Sequence, residues 1–145
     1  MPNTQAIGVA FADPEFQSVS VVGGLSAGSV SSASVTASGD LFIKSATVAA
    51  AGSNQGTAAA VTGGFTLVTG ADAAKGVVLP AAAAGLVVII KNADAANAVL
   101  KVYPASGDAI NALSANASYD MAAKTSMLLV AYDATTWYTV PLLAS

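Results

Sequence analysis

The sequence predicts an all-β protein, built as an antiparallel β-barrel or jelly-roll-like sandwich with an extended N-terminal arm. Strand-sized apolar runs recur about every 8–12 residues with glycine, proline, asparagine or aspartate between them, which is typical of these folds. No long amphipathic helix competes with this pattern. The strongest run is Leu86–Lys91, whose first five residues are all apolar. Both faces of such a strand must be covered, inside a sandwich or barrel or against a neighbouring chain.

The first part of the chain predicts an arm followed by a sparse attachment region. The opening fifteen residues hold two prolines, no basic residue and no apolar periodicity, which favours an extended arm. Gln17–Val22 alternates valine with serine and ends at two glycines, so it predicts a half-buried strand. Leu41–Val48 predicts a second strand, and the Ala/Gly/Ser/Asn-rich residues 49–60 predict a loop.

The later strands form the predicted barrel domain, residues 61–145, so that residues 1–60 are the attachment region. Each of these strands alternates or is continuously apolar, and turn-forming residues bound it. They are Phe65–Thr69, Val77–Leu79, Leu86–Lys91, Ala98–Tyr103, Ala117–Met121, Ser126–Tyr132 and Thr136–Leu143.

The composition predicts an oligomer and excludes several partners. Charged residues make up 9% of the chain, against roughly 25% in typical soluble domains. A monomer so poor in charge exposes much uncharged surface, and such surface tends to associate. The net charge is −3, with scattered lysines and no arginine, which argues against direct nucleic-acid binding. The longest apolar run is about fifteen residues, whereas a membrane helix needs about 20, so no membrane partner is expected.

Neither a catalytic nor a metal site is predicted. Ser26 lies in a G-x-S-x-G pattern, but the chain has no histidine to act as its base, and no motif surrounds the nearest lysine, Lys44. Oxygen ligands for Ca²⁺ are available from Asn92, Asp94 and Asn97. Without a glutamate or the spacing of a known loop, turn formation explains these three better. We therefore predict no enzyme and no cofactor.

Two further groups of residues are predicted to be structural. Asp108 and Asn111 flank Ile110, and we expect them to bond the local backbone while Ile110 fills the barrel. Asn116 begins an N-glycosylation sequence, which means little without a secretory signal. The aromatic side chains lie on separate strands, so core and subunit-interface roles are favoured over a sugar-binding platform. They are Tyr103, Tyr119, Tyr132, Trp137 and Tyr138.

The second half of the chain resembles a module of bacteriophage virion proteins. The resemblance runs from about Phe65 to Val140 and is most distinctive in V-Y-P-A-S-G-D-A-I-N. Its motifs are Val68–Asp72, Gly76–Pro80, Val87–Asn92, Val102–Asn111, Ala115–Ser118 and Trp137-Tyr138. Such modules resemble trimeric β-barrels in capsid decoration proteins, head fibres and tail-fibre tips. A family member carries its attachment element in the region before Phe65.

The resemblance implies a capsid decoration, or cement, protein that binds the assembled major capsid protein shell as a homotrimer and stabilises it. The protein would be made in the host cytoplasm and would lie on the outer capsid surface of the virion. The predicted trimer interface or core comprises Leu86, Val88, Ile90, Leu128, Val130 and Trp137. The predicted capsid-contact arm carries Phe11, Asp13, Glu15 and Phe16. The alternative is a head- or tail-fibre module that binds host surface glycans.

Overall fold

A computed structural model describes Ser26 and residues 31–141 of the chain. Two compact units are distinguished, Met1–Gly39 and Asp40–Ser145. In the first unit, Ser26 and residues 31–39 are exposed and form neither helix nor strand. The predicted arm and the predicted strand Gln17–Val22 lie outside the described residues. All of the regular structure described below belongs to the second unit.

The described part of the second unit is all-β, as predicted. Ten strands are present and no helix, so the described residues contain no helix that could cross a membrane. The strands are β1 (Ser45–Ala49), β2 (Ala59–Ala60), β3 (Phe65–Thr69), β4 (Gly76–Val78), β5 (Val87–Asn92), β6 (Leu100–Tyr103), β7 (Ala109–Ile110), β8 (Tyr119–Met121), β9 (Ser126–Ala131) and β10 (Thr136–Val140).

The strands form two sheets. Sheet A has six strands in the order β1-β3-β5-β9-β10-β7, and sheet B has four in the order β2-β4-β6-β8. From β1 to β6 the chain crosses from one sheet to the other after every strand. Each sheet therefore gains one strand per coil, in a winding that is β-solenoid-like.

The predicted antiparallel pairing and the barrel or jelly-roll closure are wrong, because both sheets are mixed. The pairs β1–β3, β3–β5, β2–β4, β4–β6 and β7–β10 are parallel. The pairs β5–β9, β6–β8 and β9–β10 are antiparallel. The physical reason lies in the connections. From β1 to β6 the chain passes through the opposite sheet before it returns, and there the successive strands of each sheet run in the same direction.

One hydrophobic core joins the two sheets. It takes alternate side chains from β5 and β9, where Val88, Ile90 and Leu129 are buried, and meets Leu100 and Val102 from β6. Small residues dominate the rest of the core, as the alanine- and valine-rich composition leads one to expect. Burying both sheets against each other leaves the other face of each sheet outward.

Strands β1 and β2 belong to the same sheets as the later strands. Both strands lie before residue 61, within the range expected to be the attachment region. Ser45–Ala49 pairs along its whole length with Phe65–Thr69. The predicted strand Leu41–Val48 is shorter at its start, because residues 41–44 are exposed and outside any strand.

Candidate interaction surface

The outer face of sheet A carries a continuous apolar surface. The cross-strand register places Phe65, Ile89, Leu128 and Val140 in one row across β3, β5, β9 and β10. Since side chains two apart share a face of a strand, neighbouring rows add further apolar residues. We call this surface the apolar face: Phe65, Leu67, Val87, Ile89, Leu128, Val130, Tyr138 and Val140.

Much of the apolar face is open to solvent in the single chain. The exposed fraction is 53% for Val140, 44% for Val87 and 39% for both Phe65 and Tyr138, and the other four residues are half-buried. Lys91 is the one charged residue at the outward positions of the described strands of sheet A. Its ammonium donates a hydrogen bond to the carbonyl of Lys124. Contiguous apolar surface of this kind marks an interaction site.

The outer face of sheet B has a different character. Lys101 of β6 and Asp120 of β8 are opposite each other and form a salt bridge of 2.7 Å. The hydroxyl of Tyr103 donates to the carbonyl of Ser53 at 3.2 Å. Charged and hydrogen-bonded groups therefore lie on this face, whereas the outward rows of sheet A are mostly apolar.

The predicted interface residues divide between the apolar face and the core. Leu128 and Val130 lie on the apolar face, and Leu86 is 37% exposed just before β5. The remaining three, Val88, Ile90 and Trp137, are at most 2% exposed and hold the two sheets of one chain together. Four predicted contact residues lie outside the described residues: Phe11, Asp13, Glu15 and Phe16.

Sequence reasoning missed most of the apolar face. It named the inward residues of β5, Val88 and Ile90, whereas Val87 and Ile89 are the ones that point outward. A signal was available in the strand alternation: in β3 and β10 every second residue is outward, and Phe65, Leu67 and Tyr138 occupy such positions. The direction of pairing, which brings β3 beside β5, could not be inferred from these patterns.

Two of the aromatic residues form an exposed pair. The rings of Tyr132 and Tyr138 are 6.1 Å apart between centroids and nearly perpendicular at 86°. The exposed fraction of Tyr132 is 76%. Trp137, which precedes Tyr138 in the chain, is fully buried, and its Nε1 has no hydrogen-bond partner among the described residues. The tryptophan is thus a core residue, and among the described residues at this end of sheet A the open rings are those of tyrosines.

The predicted Asx turn at the end of β5 is present. The buried Asn92 amide donates to the carbonyls of Ala98, Met121 and Ala122 at 3.0–3.3 Å. The Asp94 carboxylate accepts the N–H of Ala98 at 3.0 Å. Asn97 adopts a left-handed φ of 61°, which asparagine tolerates. These side chains bind backbone, and the described residues contain no group of three or more acidic, histidine or cysteine side chains that could hold a metal.

The distinctive motif around Ile110 is also held by its polar neighbours. Ile110 is fully buried, as expected of a residue that fills the core. The Asp108 carboxylate accepts the N–H of Ala82 at 2.8 Å. Asn111 has a φ of 53°, and its Oδ1 accepts the N–H of Thr139 at 3.0 Å. The motif thus fixes the Ala-rich turn before β5 and the end of the β7–β10 pair.

Two exposed aspartates organise turns at the surface. A hydrogen bond from the Lys75 side chain, 2.9 Å away, is the main reason why the pKa of Asp72 lies below its ordinary value of 3.8. The pKa of Asp133 is lowered chiefly by the backbone N–H of Thr135, with a further hydrogen bond from the N–H of Thr136. Both shifts are those of turn-capping carboxylates, not of a catalytic pair.

The sequence offers the G-x-S-x-G serine no histidine as a base. Ser26 is exposed and lies outside regular structure, and the rest of its motif lies outside the described residues.

No protein-family model matches the chain, and neither a curated protein nor a solved structure matches it. The resemblance to virion modules therefore stays a prediction from the sequence motifs.

Proposed function

We propose that this protein is a structural subunit of a bacteriophage virion, a decoration or cement protein that binds the outside of the capsid shell as a homotrimer. The observation that carries the proposal is the apolar face. It is broad and weakly charged, and it is uncovered in the single chain. A surface of this kind favours a partner protein over a small-molecule substrate.

Self-association supplies the first partner. Copies of one chain present the same surface, and most soluble oligomers are closed, symmetric assemblies of identical subunits. The number three comes from the sequence motifs, since the modules they resemble are trimeric. Leu128 and Val130 would be buried at the contact between copies, together with Val87 and Ile89 of the neighbouring strand.

Shell binding is assigned to the N-terminal arm, with Phe11 and Phe16 as apolar anchors beside the acidic Asp13 and Glu15. The major capsid protein is the proposed partner. A ligand that binds only the assembled shell stabilises that shell by mass action. The net charge of −3 suits the outer surface, which faces away from the packaged genome.

The test uses capsids that lack this protein. We expect added wild-type protein to bind them and to increase the fraction that survives heating or chelation. The variant Phe11→Ala/Phe16→Ala should remain oligomeric and lose binding, whereas Val35→Ser, a change at a 79% exposed residue, serves as the matched control. Wild-type protein that neither binds nor protects such capsids rules out the decoration function.

A second candidate is a head- or tail-fibre module that binds host surface glycans. The specific observation in its favour is the exposed Tyr132–Tyr138 pair, since aromatic rings stack on sugar rings. Glycan binding that is lost in Tyr132→Ala, with no effect of the protein on capsid survival, would favour this function over decoration.

A further inference from the structure

We propose that Leu41, Phe42 and Ile43 form a hook that docks on the apolar face of a second copy of this chain. This inference rests on the self-association in the proposed function and adds the contact through which it occurs. The exposed fractions of the three side chains are 77%, 89% and 57%. Three consecutive large apolar residues with this exposure are unusual on a soluble protein.

The position of the hook makes it available to a neighbour. It immediately precedes β1, which is the edge strand of sheet A, and is joined to the sheet by the bond from the N–H of Phe65 to the carbonyl of Lys44. Ile43 lies against Gly64, where a Cβ atom would be 2.6 Å from its Cγ2. The chain is thus anchored at Ile43, while Leu41 and Phe42 extend into solvent.

The hook and the apolar face are two complementary surfaces of the same compact unit. In the single chain they do not cover each other, because both remain exposed. We take the hook of each copy to dock on the apolar face of the next copy, which makes the contact head-to-tail, and such contacts produce a ring if the rotation closes. A closed ring of three copies then buries every hook and leaves none bare.

A groove marks a docking place on the acceptor. It has a volume of about 300 Å³ and is lined by Ser45, Ala46, Thr47, Phe65 and Leu67. Two of these residues belong to the apolar face, and the others belong to the edge strand β1. An extended segment that enters this groove meets apolar side chains and the backbone edge of β1, which no other described strand pairs on that side.

Area and charge both favour a second copy as the occupant. A large aromatic side chain buries on the order of 150–250 Å². The three large side chains of the hook, counted together with the residues of the apolar face that they cover, therefore approach the roughly 1,000 Å² that a biological interface needs. The exposed Asp40 precedes the hook, and Lys91 lies in the Leu67 row of the apolar face. The exposed Lys44 follows the hook, so the charge pairing that favours the contact is that of Asp40 of one copy with Lys91 of the next.

The hook is tested by the oligomeric state of three variants, measured by native mass spectrometry and light scattering. The hook variant carries Leu41→Ser, Phe42→Ser and Ile43→Ser. The face variant carries Val87→Lys and Val140→Lys, and the matched control is Val35→Ser. All changes are at solvent-exposed residues, and circular dichroism verifies that the strands are retained.

We expect trimers for wild type and control, and monomers for the hook variant and the face variant. The dissociation constant should rise by on the order of 100-fold or more, as for loss of a central hot spot. When the two variants are mixed, the intact hook of one meets the intact face of the other. A 1:1 heterodimer is then expected, which a face-to-face contact does not produce.

Two results overturn the inference, and they differ in what they leave standing. A hook variant that remains trimeric shows that association does not use the hook, and the proposed function is untouched. A wild-type chain that is monomeric at all concentrations removes both the hook and the trimer. Protection of capsids then decides separately whether the protein decorates them.

Discussion

Ile89 and Leu128 lie directly opposite each other in the antiparallel pair of β5 and β9, on the outward side of sheet A. Their neighbours along the chain, Val88 and Leu129, are also paired and point into the core. Neighbouring apolar residues of one strand therefore have different roles. The inward pair stabilises the fold of one chain, and the outward pair is available for contact with another chain.

Truncation of the two adjacent leucines of β9 should affect different properties: folding stability for Leu129 and association for Leu128. Leu129→Ala removes a fully buried side chain and is expected to lower the free energy of unfolding by about 2–5 kcal/mol. Leu128→Ala removes a half-buried side chain and should lower the free energy of unfolding of the single chain by about 1 kcal/mol or less while weakening association. Urea unfolding of the hook variant, where subunits are expected to separate, measures the first effect, and light scattering of the otherwise wild-type chain measures the second. Equal losses of stability in both variants would contradict the division of the two faces.

Asn111 is expected to be the most sensitive polar residue of the V-Y-P-A-S-G-D-A-I-N motif. It combines a left-handed φ with hydrogen bonds to the Thr139 N–H and hydroxyl at 3.0 and 3.1 Å. Asn111→Ala should therefore lower the free energy of unfolding by about 2–4 kcal/mol. Asn111→Gly loses the same bonds without the backbone strain, so it should be less harmful by about 1–2 kcal/mol. Thermal and urea unfolding measure both, and an alanine variant no worse than glycine would show that φ is unimportant.

Gly76 in β4 has no room for a side chain. A Cβ atom there would be 2.5 Å from the carbonyl oxygen of Lys101 and 2.8 Å from the ring of Tyr103. Since the first contact is with backbone of the paired strand β6, relief requires the two strands to separate. Gly76→Ala should lower the free energy of unfolding by about 1–3 kcal/mol. The matched control Gly39→Ala, where a Cβ atom meets nothing within 4 Å, should be neutral in the same urea titration.

Acid should weaken the turns that Asp72 and Asp133 cap. The pKa of each carboxyl is lower in the folded chain than its ordinary value of 3.8, so folding is favoured by ionisation. Their contribution is present above about pH 4 and is lost as the pH falls through the lowered folded pKa. The melting temperature of Asp133→Asn should consequently fall less between pH 5 and pH 2 than that of wild type. Added salt should reduce the Asp72 contribution, which includes the Lys75 ion pair, more than that of Asp133.

Strand positions could be predicted because they depend on local pattern. Phe65–Thr69 has the predicted bounds, and the runs around Val88 and Leu129 are strands with ends shifted by a residue. The short strands β2 and β7 were not predicted, because two residues give no periodicity. Their pairing comes from neighbours that are distant in the sequence, such as Trp137 beside Ile110.

Pairing direction could not be predicted, because spacing does not distinguish a hairpin from a coil. A turn such as Gly70–Lys75 can return the chain to the same sheet or carry it to the opposite one. Here it carries the chain from β3 in sheet A to β4 in sheet B. The choice depends on packing of both sheets around one core, and a local motif does not contain that information.

The sequence predicts that an apolar surface needs a partner, but it does not predict which residues form that surface. The continuous apolarity of Leu86–Ile90 predicts that both faces need cover. In the single chain the core covers the face of Val88 and Ile90, and the face of Val87 is open. Which residues face outward depends on register, which is set across strands. Phe42, exposed at 89%, was expected within a strand, and only the structure shows that pairing starts at Ser45.

The apolar face is assembled from strands that are far apart along the chain. β3 and β5 supply one half, and β9 and β10 supply the other, with Leu128 and Tyr138 among the last residues to be added. A nascent chain on the ribosome has only the first half until β9 and β10 have emerged. The complete apolar face therefore forms only after β9 and β10 have been synthesised. Association through this face is thus expected between finished chains and not between nascent ones.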